Sequence, residues 1–171
     1  MKNYVFVLLF LILFLGFSQH KEKAETQHSI KKQVNIILDN WHKAAAEANF
    51  ENYFNLMDSV SVFIGTDASE NWNKKEFKAY SKPYFDKGKA WSFKALERNI
   101  YTNTDLNFVW FDELLDTQMG TCRGSGVLVK KDNTWKIKHY VLSIAIPNAD
   151  ISKVIEAKKK NDAAFLEKFK N

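Results

Sequence analysis

The chain has 171 residues, with 25 Lys and Arg against 20 Asp and Glu, a formal charge of +5 and a single cysteine. One cysteine excludes an internal disulfide, and four histidines without coordinating spacing exclude a recognisable metal motif, so no metal and no cofactor is expected. The basic excess is spread along the chain without a stripe of interleaved aromatics, which excludes an evident nucleic-acid binder.

Residues 1–18 open with Lys2 and continue as an apolar run from Tyr4 to Phe17, closing on Gly16, Phe17 and Ser18. This is the pattern of a cleavable export signal. The run is shorter than the roughly 20 residues that span a bilayer, so stable membrane insertion after cleavage is not expected. Cys122 lies far from the cleavage point, which argues against a lipid anchor. An exported protein, periplasmic or secreted, is the expectation. Residues 19–26 then read as a short polar tether.

From 27 to 48, Ile30, Val34, Ile37, Leu38, Trp41, Ala45 and Ala48 recur at helical spacing and form one apolar stripe. Asn49 suits the cap of a second helix carrying Phe50, Tyr53, Phe54 and Met57 inward. Val60, Val62 and Ile64 alternate into a short strand ending at Gly65. Asn73 and Glu76 have capping-box spacing for a third helix bearing Phe77, Tyr80 and Tyr84, with Pro83 placed to kink or shorten it. Beyond Gly88 the period changes to two over segments near 91–102, 106–115, 118–130 and 134–146, which predicts an antiparallel meander. Asp150 opens a last helix in the segment 149–171, with Ile151, Val154, Ile155, Phe165, Leu166 and Phe169 broadly on one side. The fold class is α+β: a cone-like curved antiparallel sheet covered by N-terminal helices, with a C-terminal helix.

The segment Val62-Phe63-Ile64-Gly65-Thr66-Asp67-Ala68, followed by Glu70 and Trp72, resembles the SnoaL-like branch of the nuclear transport factor 2-like superfamily. So do Trp110-Phe111-Asp112-Glu113, Cys122-Arg123-Gly124-Ser125-Gly126-Val127, Trp135-Lys136-Ile137, Leu142-Ser143 and Pro147-Asn148. The resemblance spans about residues 30–148 and places the domain at 27–148. It implies a cone-like fold with a central pocket, often dimeric, in a superfamily of cyclases, isomerases, dehydratases and non-catalytic binders, so the fold does not choose the function. No residue-by-residue match to the catalytic carboxylate and tyrosine pattern of its isomerases and cyclases emerges.

A two-residue turn at Asp116-Thr117 would set Trp110 opposite Arg123 and Asp112 opposite Thr121. A three-residue loop at 131–133 would set Ser125 opposite His139. Trp110, Asp112, Arg123, Ser125 and His139 then share one sheet face with Phe108, Val127, Val129, Trp135 and Ile137, a face expected beneath the helices. In the functional reading Arg123, Trp110 and Ser125 orient a ligand while Asp112 or His139 moves a proton. The structural alternative is an ion pair beside a hydrogen-bonded histidine. Thr66, Asp67 and Glu70 fall near a cavity mouth, where Asp67 is either a base or a turn residue bonding its own backbone. Trp72 reads as a wall of the pocket or core, and His42 as a packed or rim residue of the first helix. Gly120, Cys122, Gly124 and Gly126 are expected on an outer trough, covered by a second subunit or by the C-terminal helix.

The expected function is therefore the binding of a small, partly apolar molecule. Two rivals stand beside it: an isomerase, cyclase or dehydratase, and a non-catalytic assembly module. A homodimer is the expected assembly.

Overall fold

The computed structural model describes residues 26–170. The expected export signal and nearly all of the expected tether lie outside the described residues. Helix α1 occupies residues 26–46 and buries Ile30, Val34, Leu38, Trp41 and Ala45, the stripe read from the 3.6-residue period. Ala48, at φ 52°, ends it. Asn49 then caps α2 (Phe50–Asn55), its side chain accepting from the Asn52 amide. Strand β1 (Met57–Ile64) begins earlier than its alternation suggested, so Met57 belongs to the strand and not to the helix before it. A short strand β2 (Asn71–Asn73) leads into α3 (Lys74–Asp86), whose capping box joins Asn73 and Glu76 as expected. Pro83 is accommodated inside α3, which runs on to Asp86.

Strands β3 (Phe93–Thr102), β4 (Phe108–Thr117), β5 (Gly120–Lys131) and β6 (Thr134–Ile144) form the expected antiparallel meander. The full sheet has the order β2-β1-β6-β5-β4-β3, with β1 parallel to β6. Helix α4 (Ile151–Leu166) follows, and neither it nor its flanking turns bury a residue. Its apolar residues Ile151, Ile155 and Leu166 are exposed, so the C-terminal helix does not cover the sheet of its own chain.

Both hairpin registers differ from the expected ones. The first turn centres on Gln118-Met119, with Thr117 paired to Gly120 at φ +82°. The Thr117 hydroxyl donates to the Gly120 carbonyl and accepts from the Met119 amide, both at 2.9 Å, which fixes this turn two residues beyond the expected one. Trp110 therefore faces Val127, Asp112 faces Ser125, and Arg123 faces Leu114. The second turn has two residues, Asp132 and Asn133, both at positive φ, as a primed hairpin turn requires. Further along, the β5–β6 register shifts between Val127 and Leu128, so that Leu128 pairs with Ile137 while Val127 pairs with His139. Lys138 is the extra residue, and this bulge reverses the alternation of β6. Trp135 and Ile137 point inward before it, Tyr140 and Leu142 after it, and His139 is turned to the other face.

On β4 and β5 the buried face is the one opposite to that expected, whereas Trp135 and Ile137 of β6 are buried as expected. Val109, Phe111, Glu113 and Leu115 of β4 and Cys122 and Leu128 of β5 are buried, whereas Trp110 is 43% exposed. The glycines explain the choice. A side chain on Gly124 would overlap the Tyr140 hydroxyl, and one on Gly126 would lie 2.5 Å from the His139 carbonyl and 2.8 Å from the Phe111 ring. They lie under large rings in the core and form no outer trough. Cys122 is a buried packing residue, as read from the sequence.

Candidate functional site

The inner face of the sheet and α1 enclose one polar cluster in an otherwise apolar core. Glu113 is fully buried on β4. Its Oε1 lies 2.9 Å from His42 Nε2 and accepts from the Tyr140 hydroxyl at 2.9 Å. An ionised carboxylate only accepts, so His42 Nε2 carries the proton in that bond. Its Oε2 accepts from Arg98 Nε at 2.8 Å. Arg98 Nη1 in turn donates to Asp39 Oδ1 at 2.8 Å and to Asn35 Oδ1 at 3.1 Å, both on α1. Burial pushes the Glu113 carboxyl upward, but the hydrogen bonds and fields of His42 and Arg98 outweigh it and hold the group below the usual glutamate range. Tyr140 moves well up, because burial and the neighbouring Glu113 charge both oppose a phenolate.

A cavity of about 140 Å³ opens between the β1–β2 loop, α3, the start of β3 and the β4–β5 turn. Its walls are mainly aromatic: Phe63, Trp72, Phe77, Tyr80, Trp91 and Phe93. Phe63 and Phe77 stack at 4.0 Å, Trp72 and Tyr80 at 4.3 Å, and Trp72 and Phe77 at 5.7 Å. Thr66, Glu70 and Gln118 supply the polar groups of the lining apart from the aromatic tips. Gly65 leaves room for the Glu70 side chain, since a methyl group there would overlap the carboxylate. The loop closes through Gly65 N donating to the Glu70 carbonyl at 2.9 Å and Asp67 N donating to Glu70 Oε2 at 3.2 Å.

One aromatic layer separates the two features. Phe93 lines the cavity and meets the His42 ring at 5.8 Å, while Phe63 lines it and meets Tyr140 at 5.5 Å. Glu113 does not line the cavity, and its cluster supports the cavity floor from beneath.

The residues selected from the sequence fall into three groups. Thr66, Glu70 and Trp72 line the cavity together. Asp67 stands beside them as a turn residue, its Oδ1 accepting from the Ser69 amide at 2.8 Å, the bland alternative for this position. Those Ser69 hydrogen bonds hold its carboxyl low. His42 is buried in the Glu113 cluster. Trp110, Asp112, Arg123, Ser125 and His139 do share one face, but it is the outer one. There Trp110 stacks on Tyr101 at 5.7 Å, Asp112 accepts from Asn99 Nδ2 at 3.1 Å, and Arg123 forms no ion pair among the described residues. They form no pocket floor, because β5 buries its glycine parity.

Glu113, Arg98 and Tyr140 were missed. Glu113 had a legible signal, a carboxylate at the apolar parity of Val109, Phe111 and Leu115. Arg98 had none, because the register shift between Ala95 and Glu97 hides its inward side.

The cone of helices and curved sheet, open at an aromatic cavity, defines a small α+β domain of the nuclear transport factor 2-like class. The chain belongs to the SnoaL-like domain family, which matches residues 34–147. Its fold is similar to that of an NTF2-like protein of unknown function from Pseudomonas putida KT2440, with a TM-score of 0.60, 9% identity, and coverage of 71% of this chain and 90% of that one. An NTF2-like protein from Cytophaga hutchinsonii gives a TM-score of 0.57 at 16% identity, covering 67% of this chain and 98% of the other. A Streptomyces avermitilis protein of the NTF2-like family, whose description proposes a dehydratase, gives 0.58 at 10% identity, covering 68% and 96%. Such identities carry the fold alone. No curated protein matches the sequence. Among the described residues no helix is long and apolar enough to cross a membrane.

Proposed function

We propose that this SnoaL-like domain is exported and binds a small, partly apolar molecule in the aromatic cavity between the β1–β2 loop and α3. The observation that carries the reading is the lining itself: six aromatic side chains with a few polar groups, the composition of a small-molecule site. A volume of about 140 Å³ is close to that of the engineered cavity of about 150 Å³ that admits benzene, so a ligand places one ring or one branched alkyl group inside. Binding without chemistry is favoured over an enzyme. Of the bases expected from the sequence, Asp112 and His139 lie on the outer face and Asp67 is engaged with Ser69. Native mass spectrometry of residues 19–171 purified from the native host tests the reading. A bound adduct lost on Trp72→Ala supports it, and an adduct-free protein refutes it. N-terminal sequencing of the exported fraction, expected to begin at Gln19, tests cleavage.

A second reading concerns the outer sheet face. Trp110, Tyr101 and Phe108 are exposed there, and α4 leaves them uncovered. A second copy of the chain seated on this face makes the domain a homodimer. Sedimentation at micromolar concentration should give a dimer that Trp110→Glu converts to monomer, whereas a wild-type monomer would refute it.

A further inference from the structure

The charge distribution of the cavity names the chemical class of what it takes. Among the residues that line it there is no lysine, arginine or histidine, and Glu70 is the one side chain carrying a formal charge at neutral pH. Glu70 forms no ion pair among the described residues, and only its Oε2 is engaged, by the Asp67 amide. Asp67 adds a second negative charge to the same loop. The cation whose field reaches this loop, Lys168, acts on Asp67 and does not line the cavity. The rest of the wall is chiefly aromatic, with Thr66 and Gln118 as its neutral polar side chains. Such walls attract the diffuse charge of an alkylated ammonium, which binds in aromatic cages beside a carboxylate. An anion would enter this site against Glu70, and a neutral molecule would leave Glu70 Oε1 without a partner of opposite charge.

We infer that the cavity is selective for a small organic cation, an alkylated ammonium whose branched apolar head sits among Trp72, Tyr80 and Trp91 with its charge facing Glu70. This assignment rests on the proposal that the cavity is a ligand site, and the test separates the two. Choline, 3,3-dimethylbutan-1-ol and 3,3-dimethylbutanoate carry the same branched head and differ in charge. Each is titrated into residues 19–171 by calorimetry, with the fluorescence of Trp72 and Trp91 as a second readout.

Choline should bind about tenfold more tightly than the neutral alcohol, the scale of one ion pair joined to cation–π contact, and the carboxylate should not bind. Glu70→Gln keeps an acceptor for the Asp67 amide. It should erase the preference for choline over the alcohol, with a thermal unfolding curve by circular dichroism matching wild type showing that the variant is folded. Equal or tighter binding of the alcohol overturns the cation assignment and leaves the cavity a ligand site. Failure of all three probes also overturns it, while an adduct carried by the native-host protein decides separately whether the cavity is occupied.

Discussion

Glu113 Oε1 receives the Tyr140 hydroxyl at 2.9 Å from across β5, and Gly124, on the strand between them, is the residue that makes room for it. With His42 on the same oxygen and Arg98 Nε on the other, three donors converge on this one carboxylate. Removing the acceptor should cost more than removing any one donor, because a broken buried pair leaves the remaining charge uncompensated. Glu113→Ala is expected to destabilise the domain by about 3–5 kcal/mol. In a chain of this size that lowers Tm by about 2–4 °C for each kcal/mol. Thermal unfolding followed by circular dichroism measures it, and a loss within the ordinary surface range of about 0.5 kcal/mol would refute the dependence.

The same carboxylate gives stability a pH dependence of defined sign. Glu113 titrates below its ordinary value of 4.5 in the folded protein, so the unfolded chain takes up the proton first as pH falls. Its contribution is complete above about pH 4.5 and is lost as pH drops through the lowered folded value. Urea midpoints at pH 7, 5, 4 and 3 should fall steeply below 4.5 in wild type. Glu113→Gln should flatten that slope, leaving the contributions of Asp58 and Asp67, the other carboxyls held low. Parallel slopes in the two proteins would locate the acid sensitivity elsewhere.

Gly126→Ala tests which sheet face is inside. The added methyl meets the backbone carbonyl of His139 at 2.5 Å and the Phe111 ring at 2.8 Å, and neither can withdraw without moving β4 or β6. Overpacking of this kind costs about 1–3 kcal/mol. Ser125→Ala, one residue away on the exposed face, should change stability by less than about 0.5 kcal/mol. Chemical denaturation of both variants settles the comparison, and the reverse ranking would return the glycines to solvent.

Asn73→Ala should remove the cap of α3, whose side chain accepts from Lys75 and Glu76 amides at 3.0 and 3.1 Å. The expected loss is about 1 kcal/mol, read from the urea midpoint. Because α3 carries Phe77 and Tyr80 into the cavity wall, the same variant should weaken binding of any cavity probe. A stability loss without weaker binding would show that the wall holds independently of the cap.

The sequence by itself determined the helices, the four-stranded meander, the caps at Asn49 and Asn73, and the α+β class. Each of these follows from local periodicity or a short-range side-chain bond. Thr66, Glu70 and Trp72 were legible for the same reason, since a strand ending at Gly65 and a helix starting at Asn73 confine them to one loop. The tertiary structure alone decided which sheet face is buried. Alternation gives two faces of similar apolar content, and only the rings of Tyr140 and Phe111 lying across β5 select the glycine face for the interior. It alone also decided the parity of β6, because the bulge at Lys138 turns His139 outward and Tyr140 in. The Glu113 cluster followed from both, since His42, Arg98, Glu113 and Tyr140 come from four separate elements and meet only once the sheet has chosen its inner side.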